Sequence, residues 1–508
     1  MKKTFFKSLM IAALIVPTFT ACELDQYPTT SIPGEKSWEK PSDATNFHKG
    51  LYSTLRSLAG TGYLWGDIMM DYFQPTISYG NRGGLLYTWT YSANDVGGPW
   101  SSGYSAISDC NYYLTNVDKI DYSKSTDRAT DSILLRQYKG EAYFIRAVAY
   151  SNIVSYYCRT YDAGTAATTR GLPLLTKVDV SAKPRSANLK ATYEFILNDL
   201  KMADDLLQAD GPDEDAAVGV LINKTMTKAL RARVLLNMGD YTNALAEAEA
   251  LINSGHFALA NSANALKDMW INDQGSEFIY VPAGTPDERY EYGTSVNGNN
   301  FHAYSTAAGA FSPDWIPSKA TVEMYSTNDW RTKIYLDPKD VKCQDQKASH
   351  VALFNKFLNN PNLGKKGDSK YAQYSLPKLF RIAETYLIAA EAAYRLNNAA
   401  KAQQYLNALR TKRGLLATSE TGESLAKEIR MEWKREFMGE GMYFHVLKRW
   451  GLGFQRDATP QTGAANIVYS ANASANIGLT VEPTFHDNWT FDIPTQDKEM
   501  NPNVELFD

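Results

Sequence analysis

The chain has 508 residues, with 52 lysines and arginines against 56 aspartates and glutamates, and a formal net charge of −4 at neutral pH. This balance argues against a nucleic-acid partner, because a phosphate backbone is bound by basic patches. No low-complexity or Pro/Ser-rich linker follows residue 40, so we expect residues 35–508 to fold as a single domain.

The N-terminus has the pattern of an export signal. Lys2, Lys3 and Lys7 precede an unbroken apolar run over 9–16, which is too short to span a bilayer. Removing these three lysines with the signal lowers the net charge from −4 to −7. The mature chain is therefore more acidic than the precursor.

The residues around Cys22 distinguish two processing routes. An ordinary signal peptidase prefers small residues at −3 and −1, and cleavage before Cys22 would leave Phe19 at −3. A lipoprotein peptidase accepts a larger apolar residue there and requires a cysteine at +1. We therefore expect a lipoprotein signal peptide over 1–21, a lipidated Cys22 and a tether over 22–34. The alternative is that this cysteine stands here by chance.

Motifs that carry catalysis or hold a cofactor are missing from the sequence. It has no G-x-S-x-G, Walker, H-E-x-x-H or G-x-G-x-x-G pattern at a suitable place. The remaining cysteines, Cys110, Cys158 and Cys343, show neither a disulfide framework nor metal-ligand spacing, and we expect them to be buried. The acidic stretch 210–215 lacks the spacing of an EF-hand loop. We predict no catalytic residues, no cofactor and no metal.

Apolar residues recur at steps of three and four along several segments, which is typical of amphipathic helices. Alanines on both sides of Gly239-Asp240 would let two antiparallel helices approach closely, as in a tetratricopeptide hairpin. A second hairpin is predicted around Asn397-Asn398. The pattern predicts a mainly α fold with helical hairpins at about 132–157, 190–253, 380–413 and 424–450.

Two segments interrupt this helical pattern, at about 61–104 and 284–330. Both are rich in Gly, Asn, Ser and aromatic residues and have no sustained period. Long irregular segments within a folded unit usually carry function, and their aromatic content argues against disorder. Trp100 is the exception, because it opens a helical pattern and is predicted to lie in the core.

The helical segments resemble the SusD/RagB family of nutrient-binding outer-membrane lipoproteins. The resemblance rests on Glu141-Ala-Tyr-Phe-Ile-Arg-Ala leading to Gly171-Leu-Pro-Leu, on the segments 381–414 and 429–451, and on a tail with Ile493-Pro494 and Asn501-Pro502-Asn503. These motifs extend over nearly the whole chain in the family's order. The resemblance implies a SusD-like fold whose helical hairpins carry long loop insertions that form a binding platform.

The resemblance also implies a function and a location. A SusD-like protein is a non-catalytic lipoprotein of the outer membrane, facing the cell exterior, that captures an oligosaccharide or polysaccharide. It delivers the glycan to a SusC-like TonB-dependent transporter. The alternative is a RagB-like protein that captures peptides for a TonB-dependent importer, because the fold alone does not exclude it.

Aromatic side chains of the two insertions are the candidate ligand contacts. Flat aromatic rings can stack on the apolar C–H faces of sugars, while neighbouring polar side chains bind the hydroxyl groups. Trp315 and Tyr292 fall where the family's platform aromatics are expected. The full predicted glycan-binding set is Trp315, Tyr292, Trp65, Trp89, Tyr79, Asn81, Arg82, Asp67, Tyr290 and Tyr304.

We expect the charged residues of the family-like segments to stabilise the fold rather than to act in catalysis. Their spacing of three and four residues predicts ion pairs within a helix or between adjoining helices. They do not form the pair of opposed carboxylates that a glycosidase needs. The residues concerned are Glu384, Glu391, Arg410, Arg413, Glu432, Arg435, Glu436, Glu440 and Arg449.

The predicted lipid anchor can be tested by replacing Cys22 with alanine. A lipidated cysteine carrying two or three acyl chains holds a protein firmly on a membrane, and the substitution removes the acceptor thiol. We expect the Cys22→Ala protein to appear in the soluble fraction after cell lysis and a salt wash. Complete retention in the outer-membrane fraction would show that another feature anchors the chain.

Overall fold

The periodic apolar segments form helices in the computed structural model of the chain, and the predicted mainly helical fold class is confirmed. The structure describes residues 37–60, 64–208, 221–291, 301–357, 359–368, 371, 374–469 and 479–506. The helices are α1 (Pro41–Gly60), α2 (Trp65–Met69), α3 (Gly84–Thr88), α4 (Gly98–Asn116), α5 (Arg128–Tyr157), α6 (Leu189–Leu206), α7 (Lys224–Met238), α8 (Tyr241–Asn253), α9 (Ala263–Asn272), α10 (Lys319–Glu323), α11 (Thr332–Tyr335), α12 (Ile382–Arg395), α13 (Ala399–Thr411), α14 (Gly422–Glu436), α15 (Met442–Trp450), α16 (His486–Trp489) and α17 (Thr495–Met500).

Short strands lie mostly between the helical segments. They are β1 (Phe73–Pro75), β2 (Phe278–Tyr280), β3 (Tyr290–Glu291), β4 (Tyr304–Ser305), β5 (Ala310–Phe311), β6 (Trp315–Pro317), β7 (Leu336–Cys343), β8 (Gln346–Phe354), β9 (Tyr374–Ser375), β10 (Phe380–Arg381), β11 (Phe454–Gln455) and β12 (Thr480–Val481). One sheet has the order β4-β5-β7-β8, and its longest pair is the antiparallel hairpin of β7 and β8. Gln344, between these two strands, has a positive φ of 51°.

The two predicted helical hairpins correspond to α7 with α8 and to α12 with α13. Gly239 ends α7 in the left-handed conformation with φ 74°, which glycine adopts without steric cost. The side chain of Asp240 then accepts a hydrogen bond from the backbone N–H of Asn243 and so caps α8. Asn397 turns the second hairpin with φ 59°. Helix α8 packs against α12, so the two hairpins stack although a long insertion separates them in sequence.

Helix α5 connects two further helices, α4 and α6. It packs against α4 on one side and α6 on the other. Arg146 of α5 donates to both carboxylate oxygens of Asp199 of α6 at 2.8 and 2.7 Å, and to the amide oxygen of Asn111 of α4 at 2.6 Å. All three side chains are buried, so this contact links three helices in one place. Trp100 of α4 is 3% exposed, which confirms its predicted core position.

A buried carboxylate on α14 collects three arginines from separate parts of the chain. Glu436 accepts from Arg331 at 3.0 Å, from Arg381 at 2.9 Å, and from Arg413 at 2.8 and 2.9 Å. All four side chains are at most 1% exposed. We call these residues the Glu436 cluster. Its members come from α14 and from the segments that precede α11, precede α12 and follow α13.

The predicted pairing of these charges was right in kind but wrong in detail. Intrahelical pairs were expected along α14, and Glu432 with Arg435 at 3.2 Å is one. Most partners instead lie on other elements, because buried charges need several ligands that a single helix face cannot supply. Glu391 of α12 pairs with Arg449 of α15 at 2.8 Å, and Glu384 pairs with Arg233 of α7.

The Glu436 carboxyl is charged in the folded protein. Burial alone would raise its pKa, but Arg413, Arg381 and Arg331 together hold the pKa well below the ordinary value of 4.5. A carboxyl whose pKa is lowered by folding stabilises the folded state above its ordinary pKa, and this contribution is lost as the pH falls through the folded-state pKa. The cluster is therefore fully effective at neutral pH.

Within the described residues, no helix combines the length and the apolar character needed to cross a membrane. Cys110, Cys158 and Cys343 are buried free thiols, as predicted. Cys22 and the stretch 210–215 lie outside the described residues.

Replacing Glu436 by glutamine should be strongly destabilising, because three buried guanidinium groups lose their shared counter-charge. We expect the free energy of unfolding, measured in urea at neutral pH, to fall by about 3–5 kcal/mol. Glu423→Gln is the matched control on the same helix, since the Glu423 side chain is 77% exposed and pairs with Arg430 at the surface. Similar losses in the two variants would contradict a special role for the cluster.

Candidate functional site

The two aromatic insertions are joined by strand pairing. Strand β1 of the first insertion pairs antiparallel with β6 of the second. The backbone N–H of Thr76 continues this contact by donating to the carbonyl of Asp314 at 2.8 Å. A third segment, at 461–469, joins them where the N–H of Ile77 donates to the carbonyl of Ile467 at 2.8 Å. Three distant segments thus meet at one edge of the β4-β5-β7-β8 sheet.

Four tyrosines form an aromatic surface here: Tyr304, Tyr371 and Tyr469 are partly exposed, whereas Tyr79 is largely buried. Tyr79 and Tyr469 meet edge to face, with ring centroids 5.0 Å apart. Tyr304 and Tyr371 are stacked with centroids 3.9 Å apart and an interplanar angle of 23°. Three of these rings also pack against one small core. We call the four residues, together with the neighbouring Asn81 and Arg82, the tyrosine surface.

The core beneath this surface is separate from the main core of the helices. It contains apolar side chains of the sheet and of 464–468, and Tyr304, Tyr371 and Tyr469 all pack against it. The sheet therefore fixes the height and tilt of three of the four rings. Its buried members are Phe311, Ile316, Val341, Cys343, Ala348, Val351, Leu353, Ala464, Ile467 and Val468.

A tight turn presents Asn81 beside Tyr79. Gly80, Asn81 and Gly83 all have positive φ, at 55°, 59° and 71°, and asparagine is one of the few residues other than glycine that accept this conformation. The Tyr79 hydroxyl donates to the Asn81 amide oxygen at 3.3 Å. A side chain at Gly84 would collide with that oxygen, since a Cβ there would lie 2.0 Å from it. The turn therefore depends on glycine to hold an exposed amide.

Arg82 is exposed but held in place. Its Nε donates to Asp314 at 2.6 Å, and its Nη2 donates to the other oxygen of the same carboxylate and to the Ser78 carbonyl at 3.3 Å. The Arg82 side chain is 48% exposed, whereas that of Asp314 is 1% exposed. The hydrogen bonds that Arg82 donates to Asp314 raise the pKa of Arg82. A buried carboxylate thus orients a guanidinium that faces solvent.

A second charge pair lies beside Phe311. The Nζ of Lys339 is 2.9 Å from the carboxylate of Asp337 and 5.6 Å from the centre of the Phe311 ring. The Nε2 of His302 is 3.0 Å from the same carboxylate. Burial alone would raise the pKa of Asp337, but His302 and Lys339 lower it. Asp337 is therefore ionised.

Of the predicted ligand contacts, Tyr79, Asn81, Arg82 and Tyr304 lie on the tyrosine surface. Tyr79 is the least accessible of them, with 9% of its surface exposed. Tyr290 lies in β3, which pairs with β9 through Ser375, and its side chain is not described. Tyr292 lies outside the described residues.

The prediction that Trp315 and Trp89 present exposed rings was wrong. Trp315 is 0% exposed and packs beneath Tyr79 and Tyr87, at centroid distances of 5.7 and 5.2 Å. Trp89 is 1% exposed, packs against Trp489 at 5.1 Å, and donates its indole N–H to the Met69 carbonyl at 2.8 Å. A ring without accessible surface cannot stack on a ligand, so both tryptophans are packing residues.

Asp67 and Trp65 also lie away from the tyrosine surface. Asp67 is 0% exposed and accepts from the backbone N–H of Gly441 at 2.6 Å. Burial raises the pKa of this carboxyl to about 8. Trp65 is half-buried and packs against Phe491, 6.5 Å away between centroids. These two residues join α2 to α15 and to the C-terminal segment, and the prediction that Asp67 faces a ligand was wrong.

Tyr371 and Tyr469 were missed by the sequence analysis because they lie outside both predicted insertions. One available signal was a spacing of two between apolar residues on each side of a polar tip, at Val341 and Cys343 and at Val351 and Leu353, which is typical of a hairpin. A hairpin there would have indicated a sheet whose apolar face must be covered by side chains from elsewhere in the chain. No local pattern marks Tyr371 or Tyr469 themselves.

Replacing Trp315 by alanine tests its assignment to the core. We expect a loss of about 3–5 kcal/mol in the free energy of unfolding, because the substitution leaves a cavity beneath two tyrosine rings. Urea denaturation followed by circular dichroism measures this loss. Tyr122→Ala is a suitable control, since this half-buried tyrosine lies at a short turn away from the sheet. A Trp315→Ala protein as stable as the wild type would mean that the ring is not part of the core.

Comparison with known proteins identifies the family. The family model described as "SusD family" matches residues 191–506, and the model described as "Starch-binding associating with outer membrane" matches residues 61–236. SusD-like protein P38 of Formosa agariphila is 24% identical over 460 residues, which cover 82% of this chain and 83% of the relative.

Solved structures agree with this match. A SusD superfamily protein from Bacteroides thetaiotaomicron has a TM-score of 0.72 and 23% identity, covering 92% of this chain and 99% of that one. Surface glycan-binding protein A from Bacteroides uniformis has a TM-score of 0.67 and 17% identity, covering 91% and 98%. At these identities the solved structures show a shared fold. Because the first family model matches more than half of the chain, this protein belongs to the SusD family.

Proposed function

We propose that this protein binds a glycan on the tyrosine surface without transforming it. The observation that carries the proposal is the grouping of three partly exposed tyrosines with Tyr79, Asn81 and Arg82 over one sheet. The family assignment supports it, and so does the description of the Bacteroides uniformis relative as a surface glycan-binding protein. The description of the second family model as starch-binding points the same way.

The chemistry of the surface suits a sugar. The face of an aromatic ring is electronegative, and the C–H face of a pyranose is apolar and slightly positive, so the two attract. The Asn81 amide and the Arg82 guanidinium add donors and an acceptor for ring hydroxyls. Because Asp314 and the turn hold these groups in place, little conformational entropy is lost when a ligand binds.

The same surface is poorly suited to glycoside hydrolysis. Hydrolysis needs a carboxylic acid with a raised pKa opposite a second carboxyl group. The pKa of Asp337 is lowered instead, and Asp314 is committed to Arg82. Asp67 has a raised pKa but is completely buried beside Gly441. We therefore propose a binding protein rather than an enzyme.

We further propose that the protein is a surface lipoprotein that passes the glycan to a SusC-like TonB-dependent transporter. The family description of association with the outer membrane supports the location. Lipidation at Cys22 would supply the anchor, because no helix among the described residues can. Purification in mild detergent tests the partner: we expect a large outer-membrane barrel to copurify, and a free monomer in several detergents would contradict it.

Alanine substitutions of Tyr304 and Tyr469 test the binding site. Each removes one stacking ring, and by analogy with bases stacked on aromatic side chains we expect a loss of about 1–3 kcal/mol in binding free energy. This corresponds to a rise in Kd of roughly five- to 150-fold. Calorimetry against the best ligand of a polysaccharide panel measures it. The melting temperature should change by only a few degrees, since both rings are partly exposed.

Tyr143→Ala is the matched control, because Tyr143 is a partly buried tyrosine on α5 outside the tyrosine surface. Its Kd should equal that of the wild type. Unchanged Kd values for both Tyr304→Ala and Tyr469→Ala would show that the glycan binds elsewhere on the protein. Binding of extended peptides but of no glycan would favour the peptide-capturing alternative.

A further inference from the structure

We infer that the tyrosine surface selects uncharged glycans and discriminates against glycans that carry carboxylates or sulfates. This inference rests on the proposed function and concerns the same site. The observation behind it is that carboxylates compensate the positive charges near the surface. The cations nearest to the aromatic rings, Arg82 and Lys339, each already share a carboxylate.

Arg82 is the most exposed cation of the surface, and two of its three nitrogens are already used. Its Nε and Nη2 both donate to the carboxylate of Asp314. Its Nη1 lies beside Gly80, where a Cβ would come within 3.1 Å of it, so glycine leaves room at this nitrogen. One side of the guanidinium can therefore donate a hydrogen bond, but its positive charge is compensated by Asp314.

An anionic sugar would bind poorly beside this ion pair. Its carboxylate or sulfate would lie within a few ångströms of Asp314, and the loss of hydration that an anion suffers on binding needs an unshared cation to offset it. A neutral hydroxyl has a much smaller hydration cost and accepts the same hydrogen bond. The Arg82–Asp314 pair thus favours a hydroxyl over an acidic group.

The second cation of the surface is compensated in the same way. Lys339 lies 2.9 Å from Asp337, which also contacts His302. Further along the hairpin, the charges alternate in sign, with Lys342 and Lys347 against Asp340 and Asp345. Counted together with Asp314, the described residues of the surface and its hairpin carry four positive side chains (Arg82, Lys339, Lys342 and Lys347) and four negative ones (Asp314, Asp337, Asp340 and Asp345). The long-range field also opposes a polyanion, since the whole chain has a net charge of −4.

Asp314 is thus a specificity-determining residue that acts through Arg82. Asp314→Asn removes the compensating charge and keeps the size of the side chain and one acceptor oxygen. The guanidinium would then present an unshared positive charge at the tyrosine surface. We expect this variant to gain affinity for acidic glycans of at least threefold, and this gain should weaken with added salt because it is electrostatic. Its affinity for neutral glycans should stay the same or fall.

Affinity gel electrophoresis provides the test. The wild type and Asp314→Asn would be run in gels containing neutral polymers (an α-glucan, a xylan, a galactomannan and a fructan) or acidic ones (polygalacturonate, alginate and heparin). We expect neutral polymers alone to retard the wild type, and at least one acidic polymer to retard the variant. Wild-type retardation by an acidic polymer, equal to or stronger than by any neutral one, would overturn the inference while leaving glycan binding intact.

If the protein does not bind glycans at all, no polymer of either kind will retard the wild type. This result differs from the one that overturns the inference. Circular dichroism and a melting curve establish that the variant is folded. If Asp314→Asn does not fold, Asp337→Asn serves in its place, since it releases the charge of Lys339 from a partly exposed position. The comparison of neutral with acidic polymers for the wild type decides the inference without any variant.

Discussion

The Glu436 cluster is the interaction on which the rest of the structure depends. One carboxylate on α14 binds guanidinium groups that stand before α11, before α12 and after α13. Burying these charges costs solvation energy, so the cluster acts mainly by penalising every arrangement that leaves one of them unpaired. In the observed packing of these segments all of them are paired. The cluster thus fixes how the second helical hairpin meets α14.

The same region of α14 also positions the sheet. Arg331 precedes α11 and β7, and Lys356 follows β8. The Nζ of Lys356 donates to the carbonyls of Glu436 and Met438 at 2.7 and 3.0 Å and pairs with Glu440. Both ends of the β7–β8 hairpin are therefore fastened to the end of one helix. The tyrosine surface rests on that hairpin, so a charge cluster in the helical core determines where three of its rings stand.

The helices could be predicted from the sequence because their signals are local. Apolar periodicity, the Gly239 turn and the capping residue Asp240 all act within a few residues, and α7 with α8 follows from them. The site could be predicted only in part. The Gly80-to-Gly84 turn is local, and its Tyr79, Asn81 and Arg82 do reach the tyrosine surface. Whether a loop tryptophan is covered depends on a strand paired from far away, which is why Trp315 was misjudged and Tyr469 missed.

The pairing of β1 with β6 has a consequence for how the protein acquires its function. It joins parts of the chain that are more than 200 residues apart, and the segment at 461–469 joins them from near the C-terminus. Contacts between residues so far apart in sequence form slowly, because the entropy of closing a long loop is lost before the contacts stabilise the chain. Helical hairpins form faster, since their contacts join neighbouring residues. The tyrosine surface is therefore a late product of folding. A growing chain that extends only as far as α13 already contains both stacked hairpins, but it lacks the segment that completes this surface.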